Sequence, residues 1–322
     1  MTTATIEAGA TRKARKPKKQ KAGVSPAMRR TKGEKIFTVV NVTLLTLFAL
    51  ICTYPFYYLI INSLSNNKMS AAGEINWWIQ GLHWDNYKTV LGLDGLGTAA
   101  WISIARTVIG TVLTVLASAY LGFMFTQQKM WKRSFWYRFV VITMYFNAGL
   151  IPMFITMKNY GLTNNFWVYI LSAIVQPFNI ILVKTYIESI PASLQEAAEV
   201  DGAGTLTVFW KIVLPMCTPI LATVAIFSAV NQWNSFQDTL IYMTDSKLWS
   251  LQYLLYTYIN QASSIANSVK ANAANAALLA TATTPTAIRM TVSVIVVLPI
   301  MFVYPFFQRY FVKGMMLGAV KG

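Results

Sequence analysis

Charge is scarce in this sequence. Only 12% of its 322 residues are charged, against roughly 25% in soluble domains. The acidic residues number 11 beside 27 Lys and Arg. None of the 11 falls inside a long apolar stretch; all stand in tails, polar connections or at stretch ends. That argues against a proton- or sodium-driven carrier, which keeps an ionisable group near the membrane midplane. Histidine occurs once, as His83. With no second histidine to share a metal, it reads as a surface residue. The two cysteines, Cys52 and Cys217, both lie in apolar stretches and read as small buried hydrophobes. Also missing are a G-x-x-x-x-G-K-[ST] nucleotide loop, a G-x-S-x-G elbow, an H-E-x-x-H pair and a mid-membrane carboxylate pair. The chain therefore carries neither its own nucleotide-driven motor nor a recognisable hydrolytic centre.

What is abundant is apolar length. The chain is 55% hydrophobic with a mean hydropathy of +0.47, which places it in the membrane class. Six stretches reach the roughly 20 residues needed to cross a bilayer: 35–65, 98–125, 135–157, 166–187, 212–237 and 288–311. The expected fold is an all-α integral membrane protein with six transmembrane helices. Pro55 is expected to kink the first. Arg106 lies inside the second, where it either snorkels or pairs with a second subunit. The connection 66–97 carries Trp77, Trp78, Trp84 and Tyr87, rings suited to the interface. In the connection 238–287, the part from Ile259 to Thr286 is rich in Ala, Asn, Thr and Ser; composition does not decide its structure.

Positive charge orients the spans. Eleven of the 27 Lys and Arg lie between Arg12 and Lys35. With the N-terminus inside, 20 Lys and Arg fall on the cytoplasmic side and five on the other, so the positive-inside rule puts both termini and the 188–211 loop in the cytoplasm. The 66–97 and 238–287 connections are then extracytoplasmic. The tail 1–34, rich in Lys, Ala, Pro and Gly, is expected to be disordered and to meet anionic membrane lipids. No aromatic interleaving points it to nucleic acid.

The polar stretch Ser193–Pro215, SLQEAAEVDGAGTLTVFWKIVLP, reads as helix, turn, helix. Ser193 and Glu196 have capping-box spacing, and Leu194, Ala197 and Ala198 share one face. Asp201-Gly202 breaks the run. Thr205 then caps a second helix carrying Phe209, Trp210, Ile212 and Val213. So short a helix is marginal alone, and its small alanines invite a partner.

Glu196-Ala197-Ala198, Asp201-Gly202-Ala203, then Phe209, Ile212 and Leu214-Pro215 resemble the EAA loop of binding-protein-dependent ABC importer permeases. Asn147-Ala148-Gly149-Leu150-Ile151-Pro152, Trp233-Asn234-Ser235, Tyr304-Pro305-Phe306 and Tyr310-Phe311-Val312-Lys313-Gly314 are similar to its carbohydrate-uptake branch. Within that branch the likeness is to maltose-type second permease subunits that serve polysaccharide-derived oligosaccharides, and it covers residues 36–322.

The resemblance implies a cytoplasmic coupling helix between spans four and five, in which Glu196, Ala197, Ala198, Asp201, Gly202 and Ala203 meet an ATPase. It implies a heterodimer with a second homologous permease subunit, two ABC ATPase subunits that bind ATP and Mg, and an extracytoplasmic solute-binding protein. The place would be the bacterial inner membrane. No cofactor, metal or catalytic residue is expected in this chain. The in-span polar residues Asn147, Gln176, Asn179, Asn231, Gln232, Trp233 and Asn234 suit a saccharide path, since amides bond hydroxyls and aromatic faces stack on rings. They equally suit interhelical contacts. Neutral and alginate-like uronate saccharides both fit. The readings from other classes are a secondary carrier and a membrane scaffold without ATPase coupling.

Overall fold

The computed structural model describes the backbone of residues 31–271 and 285–319, and side chains at 31–261 and 286–302. Every regular element among the described residues is helical, and none is a strand. The basic tail to residue 30 and most of the Ala/Asn/Thr/Ser-rich segment, 272–284, lie outside the described residues.

The chain divides into two compact units, residues 1–54 and 55–322. In the first, the described part is the opening of helix α1 (Lys32–Leu64). A capping box starts it: the Thr31 N–H donates to the Glu34 carboxylate at 2.8 Å, and the Glu34 N–H donates to Thr31 Oγ1 at 3.3 Å. No side chain between Lys32 and Tyr54 is buried.

The second unit begins at Pro55. Ile61, Asn62 and Ser63 are buried near the end of α1, where the 66–97 connection folds back with helices α2 (Asn67–Ala72) and α3 (Asp85–Leu91). The His83 N–H donates to the Leu64 carbonyl, the Asn66 N–H to that of Gln80, and the Asn62 amide to that of Ile75. Trp77, Trp78 and Trp84 stay exposed.

Helix α4 (Leu96–Met124) is the centre of this unit and packs chiefly on α8 and α12. Its buried positions Ala99, Ser103, Arg106, Gly110, Thr114, Ser118 and Gly122 recur every three or four residues. In that row all but Arg106 are small, so neighbouring backbones come close; Leu96, Ala119 and Phe123 are buried on the same helix as well. A Cβ on Gly122 would meet Val183 Cγ1 at 3.0 Å and the Lys184 nitrogen at 3.1 Å. By length and composition only α1 and α4 suffice alone to cross a membrane among the described helices, with a third if one bent pair counts as one span.

The other apolar stretches are broken, and the breaks have causes. Stretch 135–157 divides into α5 (Arg133–Tyr145) and α6 (Leu150–Asn159) at Gly149, whose φ of +87° suits only glycine. Stretch 166–187 divides into α7 (Val168–Leu171) and α8 (Pro177–Glu188), because Pro177 forces Gln176 into an extended conformation.

The polar loop folds as α9 (Ser193–Val200) and α10 (Thr205–Val208), then a π-helical turn at Phe209–Val213 and α11 (Leu214–Met216). The wide turn relieves the clash of Pro215 with the preceding carbonyls. At Cys217 the path bends by 80° into α12 (Thr218–Asn234), with Pro219 in its first turn. Helices α13 (Gln237–Tyr242), α14 (Leu251–Ala271) and α15 (Pro285–Ala319) complete the unit. The last contains Pro299 and Pro305 and is longer than the expected 288–311.

Candidate functional site

Two regions carry the residues singled out by sequence. The first is the helix–turn–helix at 193–213. Neither expected cap forms: α9 starts after Ala192 and α10 after Gly204, without a side-chain cap in either case. Ser193 and Thr205 are instead the first helical residues. The Gln195 and Glu196 N–H groups both reach the Ala192 carbonyl, at 3.0 Å each.

The turn between the two helices is a Schellman closure. The Ala203 N–H donates to the Ala198 carbonyl at 2.9 Å and the Gly202 N–H to that of Glu199 at 3.0 Å, with Gly202 at φ +81°.

The two sides of α9 differ in partners. Ala198 and Ala203 pack on a core of Phe123, Val183, Ile187, Phe209 and Val213, where Phe209 meets the rings of Tyr120 and Phe123 at 5.5 and 5.3 Å. Gln195 Oε1 accepts from Gln127 Nε2 at 3.2 Å, and the Glu199 carboxylate accepts from Lys129 Nζ at 2.6 Å. Glu196 and Ala197 are exposed, as are Leu194 at 42% and Val200 at 87%. The face expected to hold Leu194, Ala197 and Ala198 together is therefore split. One residue further along a helix is a rotation of about 100°, enough to turn Ala198 inward while Ala197 stays out.

The second region is a cleft of about 380 Å³ lined by Ala173, Gln176, Phe178, Asn179, Phe227, Ser228, Asn231 and Gln232. It forms where the chain between α7 and α8 unwinds and faces α12. Irregular backbone inside a membrane protein is tolerated where it lines a cavity. Asn179, Ser228 and Asn231 have no side-chain hydrogen-bond partner among the described residues, so their polar ends are open to a ligand. Gln176 donates its amide to the Ala173 carbonyl at 3.2 Å. No side chain caps the start of α8, whose first residues Pro177, Phe178 and Asn179 follow Gln176 at the cleft.

Four of the seven sequence-named path residues, Gln176, Asn179, Asn231 and Gln232, meet in this cleft. The other three do not line it. Asn147 sits in the α5–α6 break, its Oδ1 accepting from the Gly149 N–H at 2.9 Å. Trp233 donates its indole N–H to the Val296 carbonyl at 3.1 Å and packs with the α14–α15 core. Asn234 is exposed at the end of α12.

Gln232 is held by Arg106, whose own setting differs from the expectation. Arg106 neither snorkels nor waits for a second subunit; it is 1% exposed and pairs with Asp238 of its own chain. Its Nη1 lies 3.1 Å from Asp238 Oδ1. Its Nε and Nη2 donate to Gln232 Oε1 at 3.1 and 2.9 Å, and its guanidinium lies 4.2 Å over the Tyr169 ring. The Gln232 amide donates to the Tyr169 carbonyl at 3.0 Å, so both of its ends are engaged. Asp238 was missed because it lies just beyond an apolar stretch. Its signal was arithmetic: an in-span cation needs an anion near a span end.

No group of three His, Cys, Asp or Glu that could hold a metal occurs among the described residues.

Residues 115–317 match the family described as "Binding-protein-dependent transport system inner membrane component". The Bacillus subtilis (strain 168) "Polygalacturonan/rhamnogalacturonan transport system permease protein YtcP" is 31% identical over 290 residues, 89% of this chain and 99% of that protein. "Protein LplC" of the same organism is 33% identical over 296 residues, 92% and 98% of the two chains. A solved structure, "Crystal structure of a bacterial ABC transporter involved in the import of the acidic polysaccharide alginate", matches with a TM-score of 0.77 and 28% identity, over 88% of this chain and 99% of that one.

Proposed function

This chain belongs to the family of binding-protein-dependent transport system inner membrane components, and we propose that it forms half of the path by which an ABC importer carries acidic oligosaccharides. Permeases of this family are transport subunits of the inner membrane, not catalysts.

The observation that carries the saccharide reading is the cleft beside the start of α8. Open amides on Asn179 and Asn231 and the Ser228 hydroxyl suit sugar hydroxyls. Phe178, 54% exposed, offers a ring face. The uncapped helix start adds unpaired N–H groups and a positive dipole end, which favour a carboxylate such as that of a uronate. Two of the similar proteins are named for polygalacturonan/rhamnogalacturonan and alginate.

The remaining parts of the proposal follow from the family. A second, homologous permease completes the path as a heterodimer, a solute-binding protein delivers the sugar, and two ATPase subunits bind ATP and Mg. Six spans cross the membrane: α1, α4, α5 with α6, α7 with α8, α12 and α15. Both termini lie in the cytoplasm, and 66–97 and 238–287 lie outside. The loop 188–211 docks on the ATPase through its outward residues Glu196, Ala197 and Val200. Ala198, Asp201, Gly202 and Ala203 hold the shape of the turn.

The test is ATP hydrolysis by the purified complex in lipid vesicles with its solute-binding protein. Oligogalacturonides and alginate oligomers are compared with neutral arabino-oligosaccharides. Stimulation by a uronate oligomer alone is the expected result. Stimulation by neutral sugars alone would overturn the acidic assignment, and gradient-driven uptake without ATP would overturn the importer reading itself.

A further inference from the structure

We infer that Lys129 and Gln127, on the loop after α4, clamp the docking helix α9 to α4, and that α4 is the rod through which a push on α9 reaches the cleft. This rests on the importer reading above and adds a mechanical route to it.

The covalent route from α9 to the cleft runs through α10, the π-helical turn, α11 and α12. It is poorly suited to carry force, since it is widened at Phe209–Val213 and bent by 80° at Cys217. Proline and π-helical turns set bends of this kind, so this route is not a straight rod. Helix α4 has no such break over Leu96–Met124, and a 29-residue helix spans about 44 Å at 1.5 Å per residue.

Helix α4 is tied just past its C-terminus and again near its middle. Just past its C-terminus, the Gln127–Gln195 and Lys129–Glu199 bonds, at 3.2 and 2.6 Å, take hold of two α9 residues one turn apart. Lys129 is 76% and Glu199 39% exposed, so the ion pair is weak by itself; together with the Gln127–Gln195 bond it gives two points of contact, which resist rotation of α9 better than one. Beside it, Phe123 of α4 packs in the same core as Ala198 and Ala203. Near the middle of the helix, about 27 Å from its C-terminus at 1.5 Å per residue, Arg106 holds Gln232 in the cleft wall by two hydrogen bonds, and Gly110 leaves just enough room for that amide. A Cβ on Gly110 would meet Gln232 Nε2 at 2.7 Å. Glu199 thus faces its own subunit.

Charge reversal tests the clamp. Lys129→Glu, Glu199→Lys and the double exchange are made in the full complex, reconstituted with its solute-binding protein and the oligosaccharide that stimulates it best. The quantity read is saccharide accumulated per ATP hydrolysed. Each single exchange is expected to lower that ratio severalfold, while the double exchange, which restores an ion pair with reversed polarity, returns it to at least half of the wild-type value. A merely structural role would lower assembly without changing the ratio.

Single exchanges with a wild-type ratio would overturn the clamp alone. A double exchange as uncoupled as Glu199→Lys would do the same, because it would mean that Glu199 acts on the ATPase directly. A wild-type complex whose hydrolysis ignores every saccharide would instead sink the importer reading and this inference with it.

Discussion

Gly110 and Arg106 stand one helical turn apart on α4 and act on the same amide, one by leaving room and the other by bonding it. Removing Asp238 would strand the Arg106 guanidinium in a site where it is 1% exposed. Breaking a buried pair from one side costs about 3–5 kcal/mol, more than replacing both partners. Asp238→Ala is therefore expected to lower the thermal midpoint of the purified complex more than a joint Arg106→Met, Asp238→Leu replacement does. Equal losses in a thermal scan would refute the pairing as the source of the cost. Gly110→Val should displace Gln232 and so weaken saccharide-stimulated hydrolysis, whereas Gly97→Ala on the same helix, with open space around it, should be silent in that assay. Asn231→Ala removes an open amide from the cleft wall without leaving a partner unpaired. The expected outcome is a raised half-saturating saccharide concentration with ATPase assembly unchanged, checked by titration against hydrolysis.

At the scale of the element, the turn after α9 is set by one residue. Gly202 sits at φ +81°, which proline cannot reach and which costs other L-residues roughly 1–2 kcal/mol. Gly202→Pro should uncouple hydrolysis from uptake while the chain still inserts, because it destroys the Schellman closure that turns α10 back toward the core. Gly202→Asn, which tolerates the left-handed region, should retain most of the coupling. Comparing transport per ATP in the two variants decides it: equal behaviour would mean that the turn does not transmit. Neither the missing side-chain caps of α9 and α10 nor the inward turn of Ala198 could be read from residue spacing. The Ser193 and Thr205 signals lost because Ala192 and Gly204 already close the first helical turns, and tertiary packing on Phe123 and Phe209 holds helices too short to stand alone.

At the scale of the whole molecule, much was legible in sequence. Apolar length announced a membrane protein, and Asp201-Gly202 marked a turn that is there. A sequence of apolar residues sets what can be buried in lipid, because transfer free energy scales with the apolar surface removed from water. Which polar residues face one another depends on helix rotation, on breaks at Gly149, Pro177 and Cys217, and on close approach at Gly110 and Gly122. Tertiary structure therefore decided that Gln176, Asn179, Asn231 and Gln232 share a cleft while Asn147, Trp233 and Asn234 stand elsewhere. It also decided that Arg106 finds its anion 132 residues away in its own chain. The physical reason is that a buried charge is satisfied by whichever partner the packing brings within bonding distance, and distance in space is not written in the order of residues.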